Sequence, residues 1–250
     1  MQDETTPRIR PLGDAALSVE FGEGVDRALS ARALALDAAL RAAPPPGLLE
    51  TAPSFRALLI EFDPRATTAE AMAAAARAAL AACSEDAAAG AGGRLWRLPA
   101  CYEGDCAPDL AEVAAETGVA AAEIAARHQA MRHHVYMIGF LPGCPYMGDL
   151  PPELTLPRRA DPRLRVPAGS VAIAAGLTVI YPVESPGGWR LIGRTPTRMF
   201  DPARPQPALL APGDVVTFEP IGAARCAELE AAAAEGAWAP TPEPLAEAGA

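Results

Sequence analysis

The chain has 250 residues, half of them hydrophobic and 21% charged, which fits one large or two modest folded domains and excludes disorder as a description of the whole. A formal charge of −10 excludes a polyanion binder that relies on its overall field, because such binding rests on basic side chains displacing counterions. Lysine is absent and all 21 basic residues are arginine, so Schiff-base chemistry, a P-loop lysine and biotin or lipoyl attachment are excluded as well.

The opening Met1-Gln2-Asp3-Glu4 has neither a basic nor an apolar leader character, and the expectation is no secretory signal. The longest apolar stretch, Met72 to Cys83, is interrupted by Arg77 and is too short to cross a bilayer, which takes roughly 20 residues. Five scattered cysteines, Cys83, Cys101, Cys106, Cys144 and Cys226, argue against a disulfide framework. The expected protein is cytoplasmic, with reduced thiols and no membrane partner.

In chain order, Leu17, Val19 and Phe21 alternate with Ser18 and Glu20, the period of a half-buried strand. Val25 to Ala43 carries leucines on a helical repeat and stops at Pro44-Pro45-Pro46-Gly47. Leu48–Thr51 and Phe55–Phe62 read as a hairpin. Thr67 or Thr68 caps a second helix to about Cys83, with Glu70 as the reciprocal capping partner. Ser84 to Gly93 reads as a linker, and Leu95 to Cys101 as one more strand. The sum predicts an α+β domain over residues 1–93 of ferredoxin-like split βαβ type.

Asp109–Gly118 and Ala120–Met131 read as short helices. Short apolar runs at 171–174, 178–181, 189–192 and 215–218, separated by Pro and Gly, predict a β-barrel or sandwich over 94–222. Residues 223–250 read as a C-terminal helix, 223–234, and a Pro/Glu/Ala-rich frayed tail.

Between Thr155 and Phe200 lie seven arginines, Arg158, Arg159, Arg163, Arg165, Arg190, Arg194 and Arg198, against only Asp161 and Glu184. Guanidinium forks grip carboxylates and phosphates bidentately, so this strip is either an anion site or a charged face neutralised by acids elsewhere. Two Gly-containing turns, Val166–Ser170 and Glu184–Trp189, would let backbone N–H groups approach an anion, or are ordinary hairpin turns. The loop Met137–Gly148 either presents Tyr146 at a pocket wall or is buried between strands. His128, His133 and His134 lack the spacing of one helix face, and the cysteine spacing lacks a zinc signature. A Cys144–His134 nucleophile pair requires the two to meet in space.

Several ordered motifs carry a resemblance. Val135–Gly143 (VYMIGFLPG), Pro145–Gly148 (PYMG), Pro157-Arg158-Arg159 and Pro162–Val171 (PRLRVPAGSV) are followed by Ile180-Tyr181-Pro182, Ser185–Trp189 (SPGGW), Ile192–Thr195 (IGRT) and Pro212–Val216 (PGDVV). With Pro11–Leu17 and Phe62-Asp63-Pro64, they resemble the family of 5-oxoprolinase B subunits, also described as allophanate hydrolase subunit 1 or the sporulation histidine-kinase inhibitor. The resemblance implies a small α+β domain followed by a cyclophilin-like β-barrel. It implies an enzyme subunit, inactive alone, that works with the A and C subunits to open 5-oxoproline to glutamate. ATP, with magnesium, is used at the level of the complex, and the chain has no metal site of its own. Other members suggest two alternatives: inhibition of a sensor kinase, or a place in allophanate/urea carboxyl transfer. The anion site this implies comprises Tyr146, Arg158, Arg159, Ser185, Gly187, Gly188, Trp189, Arg194 and Thr195; no general base is identified. Two departures stand out. Ala175-Gly176-Leu177-Thr178-Val179 replaces a Gly-Gly-Gln-Thr-Gly pattern, and Cys144 stands where the family pattern has Phe.

Overall fold

The computed structural model describes residues 6–83 and 93–245. The chain divides into two compact units, Met1–Gly92 and Gly93–Ala250. The linker expected at 84–93 lies, but for Gly93, outside the described residues.

The first unit is a four-stranded antiparallel sheet covered by two helices. Its strands are β1 (Arg8–Pro11), β2 (Ala16–Glu20), β3 (Leu48–Ser54) and β4 (Ala57–Phe62), in the order β1-β2-β4-β3. Alternation puts Leu17 and Val19 of β2 and Leu58, Ile60 and Phe62 of β4 on one buried face. Helices α1 (Arg27–Ala42) and α2 (Ala69–Ala82) cover it with Ala33, Leu36, Leu40, Met72 and Ala76. Asp26 caps α1, its Oδ1 accepting the N–H groups of Ala28 at 2.7 Å and Leu29 at 3.1 Å. Thr68 caps α2 by accepting the Ala71 N–H at 3.1 Å. That start places Glu70 at the second helical position instead of the third, so it is off register for the expected capping box.

The strand expected to complete this sheet lies elsewhere. Residues Arg94–Ala100 form β5, which runs parallel to β13 (Val215–Pro220) in the second unit. The edge it would have filled is occupied by β1, hairpin-paired to β2. Local pattern identifies β5 as a strand, but its partner lies 120 residues downstream, beyond the reach of local pattern.

The second unit contains β6 (His133–Ile138), β7 (Pro145–Gly148), β8 (Arg163–Val166), β9 (Ser170–Ala174), β10 (Leu177–Ile180), β11 (Ser185–Gly187), β12 (Arg190–Arg194) and β14 (Glu243–Pro244). Its main sheet runs β12-β9-β10-β7-β6-β13-β5-β14, and β8 and β11 pair as a separate ribbon. Cys101 and Arg194 exchange two backbone hydrogen bonds of 2.8 Å, joining the end of β5 to the end of β12. This joins seven of the eight strands into a ring, with β14 appended to the start of β5.

Leu98, Val135, Met147, Val171, Ile173 and Val216 fill the ring. Helices α3 (Leu110–Thr117) and α4 (Ala121–Ala130) add Val113 and Ile124 to the same core. Helix α5 (Ala223–Ala234) follows β13. Asp214, almost fully buried, accepts hydrogen bonds from the Arg94 backbone and guanidinium, from Trp96 Nε1 at 2.9 Å and from the Ala211 N–H at 2.9 Å. It thereby ties the start of β5 to the start of β13.

His128 is fully buried on α4. Its Nδ1 shares a 2.8 Å hydrogen bond with the Tyr102 hydroxyl and its Nε2 a 3.0 Å bond with Thr178 Oγ1, and its ring stacks on Phe218. With both ring nitrogens satisfied inside the core, it is a structural histidine. Burial, reinforced by His133, holds its pKa well below the ordinary 6.5. The native state therefore keeps His128 neutral, while the unfolded chain takes up a proton below about pH 6.5. The stability this supplies is fully present above that pH and is lost as pH falls, at up to about 1.4 kcal/mol per pH unit. Denaturant unfolding at stepped pH should show this slope in the native chain and a shallower one in His128→Gln.

Candidate functional site

The arginine strip resolves into six partnered side chains and one that stands apart. Arg163 forks onto Asp109 at 2.5 and 2.9 Å. Arg159 bonds Glu112 at 2.7 Å and lies 3.6 Å from Asp109. Arg190, buried, holds both oxygens of Glu116 at 2.7 Å. Arg165 pairs with Glu184 at 2.8 Å, Arg194 with Glu230 at 2.6 Å and Arg198 with Asp201 at 3.4 Å. Arg158 has neither an ion pair nor a hydrogen bond among the described residues.

Three of these acids, Asp109, Glu112 and Glu116, come from α3 and its N-terminal cap position. Asp109 is the hub. Its carboxylate, 3% exposed, also accepts the Leu191 N–H of β12 at 2.7 Å. The expectation of a neutralised charged face holds for this part of the strip, and the neutralising acids lie in the same unit.

Arg158 is presented by a pinned segment. The Ala175 N–H donates to Leu156 O at 2.7 Å, the Arg190 guanidinium bonds Pro157 O, and the Arg159 N–H donates to Gly188 O at 2.7 Å. These anchors on both sides leave Arg158 exposed on a rigid backbone. Its charge reaches the hydroxyls of Tyr146 and Tyr181, where it acts to lower both pKa values.

Those tyrosines belong to a small apolar cluster on the barrel wall, with Cys144, Val166, Ala172, Val179, Trp189 and Leu191. Tyr146 meets Trp189 edge to face at 5.8 Å between centroids. The Trp189 backbone acts to lower the pKa of the Tyr181 hydroxyl, against the larger effect of burial. A side chain on Gly187 would collide with that hydroxyl, so the turn needs glycine there for space. Burial raises the Tyr181 pKa to about 12 and also raises that of Tyr146. Both are neutral donors near pH 7. Ser185 lies on β11 of the same ribbon, with its buried hydroxyl unpartnered.

The expected residues therefore separate. Tyr146 and Trp189 pack together, Arg158 lies near Tyr146 and Tyr181, and Ser185, Gly187 and Gly188 are buried in the adjoining ribbon and turn. Arg159 touches that turn through its backbone and faces Asp109 and Glu112 with its side chain. Arg194 ends β12 and Thr195 follows it, roughly 17 and 20 Å along the chain from Trp189 at about 3.3 Å per residue. Thr195 is buried and hydrogen-bonds Thr197 at 2.9 Å. Tyr181 was not among the expected site residues. The signal for it was the required glycine at 187, but only the fold brings the two together.

The Cys144–His134 pairing does not form. Cys144 is 1% exposed in the apolar cluster, and burial pushes its thiol up to about 12. His134 packs its ring against Tyr136. No group of acids, histidines and cysteines suited to a metal occurs among the described residues.

Residues 7–210 match the family described as carboxyltransferase domain, subdomain C and D. The chain belongs to this carboxyltransferase C/D family. A Bacillus subtilis (strain 168) protein named as the B subunit of 5-oxoprolinase is 35% identical over 221 residues, 84% of this chain and 91% of that one. Its namesake from Escherichia coli O157:H7 is 50% identical over 127 residues, 51% of this chain and 58% of that one. The second match thus spans little more than half of the E. coli protein. The solved K. lactis urea amidolyase superposes on 98% of this chain with a TM-score of 0.76, using 16% of its own length at 20% identity, a likeness of fold. No described helix of this carboxyltransferase C/D chain is long and apolar enough to cross a membrane.

Two outcomes test the site's construction. Asp109→Ala should lower stability by about 3–5 kcal/mol, because Arg163 loses its buried partner; thermal unfolding measures this. Cys144 should resist alkylation at neutral pH until the chain unfolds, because its thiol is buried and held protonated; mass mapping of the labelled thiols checks it.

Proposed function

We propose that this chain is the B subunit of an ATP-dependent 5-oxoprolinase, acting with the A and C subunits to convert 5-oxoproline to glutamate. The observation that carries the reading is Arg158. It is the one arginine of the strip left without a carboxylate, it is held on a pinned backbone, and it sits beside two neutral tyrosine hydroxyls. The kinship with proteins named as 5-oxoprolinase B subunits supports the same reading. The finer fold reading that accompanies it has two parts. One is a ferredoxin-like first unit, with β1 at the edge where a fourth strand would lie, and the other is a cyclophilin-like barrel.

The chemistry suits the substrate. 5-Oxoproline carries one carboxylate and an unstrained lactam, whose opening is coupled to ATP at the level of the complex. Arg158 supplies a guanidinium fork for the carboxylate. Tyr146 and Tyr181, kept protonated by burial, donate hydrogen bonds where negative charge collects. The bare backbone at Gly187 lets the Tyr181 hydroxyl pack against the turn, where a side chain would strike it. Leu177, which stands where the family pattern has Gln, packs on the same cluster. It replaces an amide with an apolar surface and makes this wall less polar. No residue of the site is assigned as the general base, and catalysis is assigned to the assembled complex.

Reconstitution with the A and C subunits tests the reading. Omitting this chain should abolish glutamate release. Arg158→Ala should cut kcat/KM roughly 10- to 100-fold, mainly through KM, since a hydrogen bond to a charged group contributes about 1.5–3 kcal/mol. Its melting temperature should stay near that of the native chain. Arg159→Ala should instead lower the melting temperature, because Asp109 and Glu112 lose a partner. Glutamate release that does not depend on this chain overturns the function, and full activity in Arg158→Ala overturns the site.

A further inference from the structure

A polar cavity of about 180 Å³ lies between the 198–204 loop and the segment after α5. Its walls include Arg198, Asp201, Arg204, Gly236, Trp238 and Pro240. Neither the expected site nor the Arg158 cluster includes any of these residues.

The lining is unbalanced in charge, with two guanidiniums facing one carboxylate. That carboxylate is already committed. Asp201 Oδ1 accepts the Ala203 N–H at 3.0 Å, leaving Oδ2 at 3.4 Å from Arg198 Nη1 and 4.0 Å from Arg204 Nε. Both ion-pair distances are long for charge-assisted bonds, which settle near about 2.7–2.9 Å. Arg204 Nη2 donates to Arg198 O at 2.8 Å and so fixes the guanidinium, while its Nη1 is buried without an acceptor. A buried N–H with no partner is costly. The Trp238 indole N–H also has no acceptor among the described residues, and the ring offers a flat apolar wall. Donor capacity thus exceeds acceptor capacity on every polar wall.

We propose that this cavity is a binding site for a small organic oxyanion, one whose carboxylate or phosphate is gripped by Arg198 and Arg204 while its body lies against Trp238. The site stands independently of Arg158 and of the 5-oxoprolinase reading, because it shares no residue with either.

Trp238 supplies the readout. The chain has three tryptophans, and Trp96 and Trp189 are 3% and 7% exposed in the barrel. Titration of the purified chain with inorganic phosphate and, separately, with acetate, at constant ionic strength set by sodium chloride, should give a saturable change in tryptophan emission. The tighter of the two identifies the anion chemistry. The change should vanish in Trp238→Phe. In Arg198→Ala the affinity should fall roughly tenfold, equivalent to about 1.4 kcal/mol. The Arg198 side chain is half exposed, so this variant keeps the fold; Arg204→Gln serves as the second variant, with circular dichroism as its folding control. Three results would each overturn the proposal: no saturation with either anion, a signal that survives in Trp238→Phe, or affinity unchanged in both arginine variants.

Discussion

The buried carboxylate of Asp109 organises the face of the ring that carries the arginine strip. It holds the Arg163 fork, lies near Arg159 and accepts the Leu191 N–H, and so fastens the start of α3 to β12 and to the β8 ribbon. Burying a carboxylate this deeply is unfavourable unless hydrogen bonds and cations surround it. Arg163 therefore has a committed partner, and Glu112 and Glu116 commit Arg159 and Arg190 in the same way. An arginine can mark a ligand site only if its charge is not already spent. By absorbing its neighbours, the acidic face of α3 isolates Arg158.

The same face explains why the loop around Arg158 is rigid. Arg190 is paired with Glu116 and reaches Pro157 O, so an ion pair made for charge balance also immobilises the backbone beside the free guanidinium. Preorganised donors recognise an anion without first losing the entropy of a mobile side-chain platform. The aromatic cluster adds protonated hydroxyls, and the missing Cβ at Gly187 lets the adjoining turn come close to Tyr181. The surface is thus built from parts that each have a separate structural reason to be where they are. The charge left over at the 198–204 loop arises by the opposite route, from a shortage of acids.

Much of the fold was legible in the sequence, where the determinants are local. The two helices of the first unit, the paired α3 and α4, and the strands β9, β10, β12 and β13 follow from period, Pro and Gly placement and capping residues. The motif resemblance extended that reading to the family. The site was legible only in part. Tyr146, Arg158 and the Ser185–Trp189 turn were expected and do lie on one wall or its adjoining ribbon. Arg159, Arg194 and Thr195 looked equivalent to them along the chain, yet are occupied by Glu112, by Glu230 and by Thr197. Strand β5 was recognised as a strand and placed in the wrong sheet, because a parallel partner 120 residues away leaves no local trace.

By itself the sequence determined the kinds of element, their order, the absence of lysine chemistry and the concentration of arginine in one stretch, since each depends on neighbours within a few residues. The tertiary structure alone decided which sheet β5 joins, how Cys101 and Arg194 close the ring, and which guanidinium stays free. The reason is physical. Hydrogen-bonded ladders and ion pairs form between groups that meet in space, and the acids that neutralise Arg163 and Arg190 lie 54 and 74 residues away along the chain.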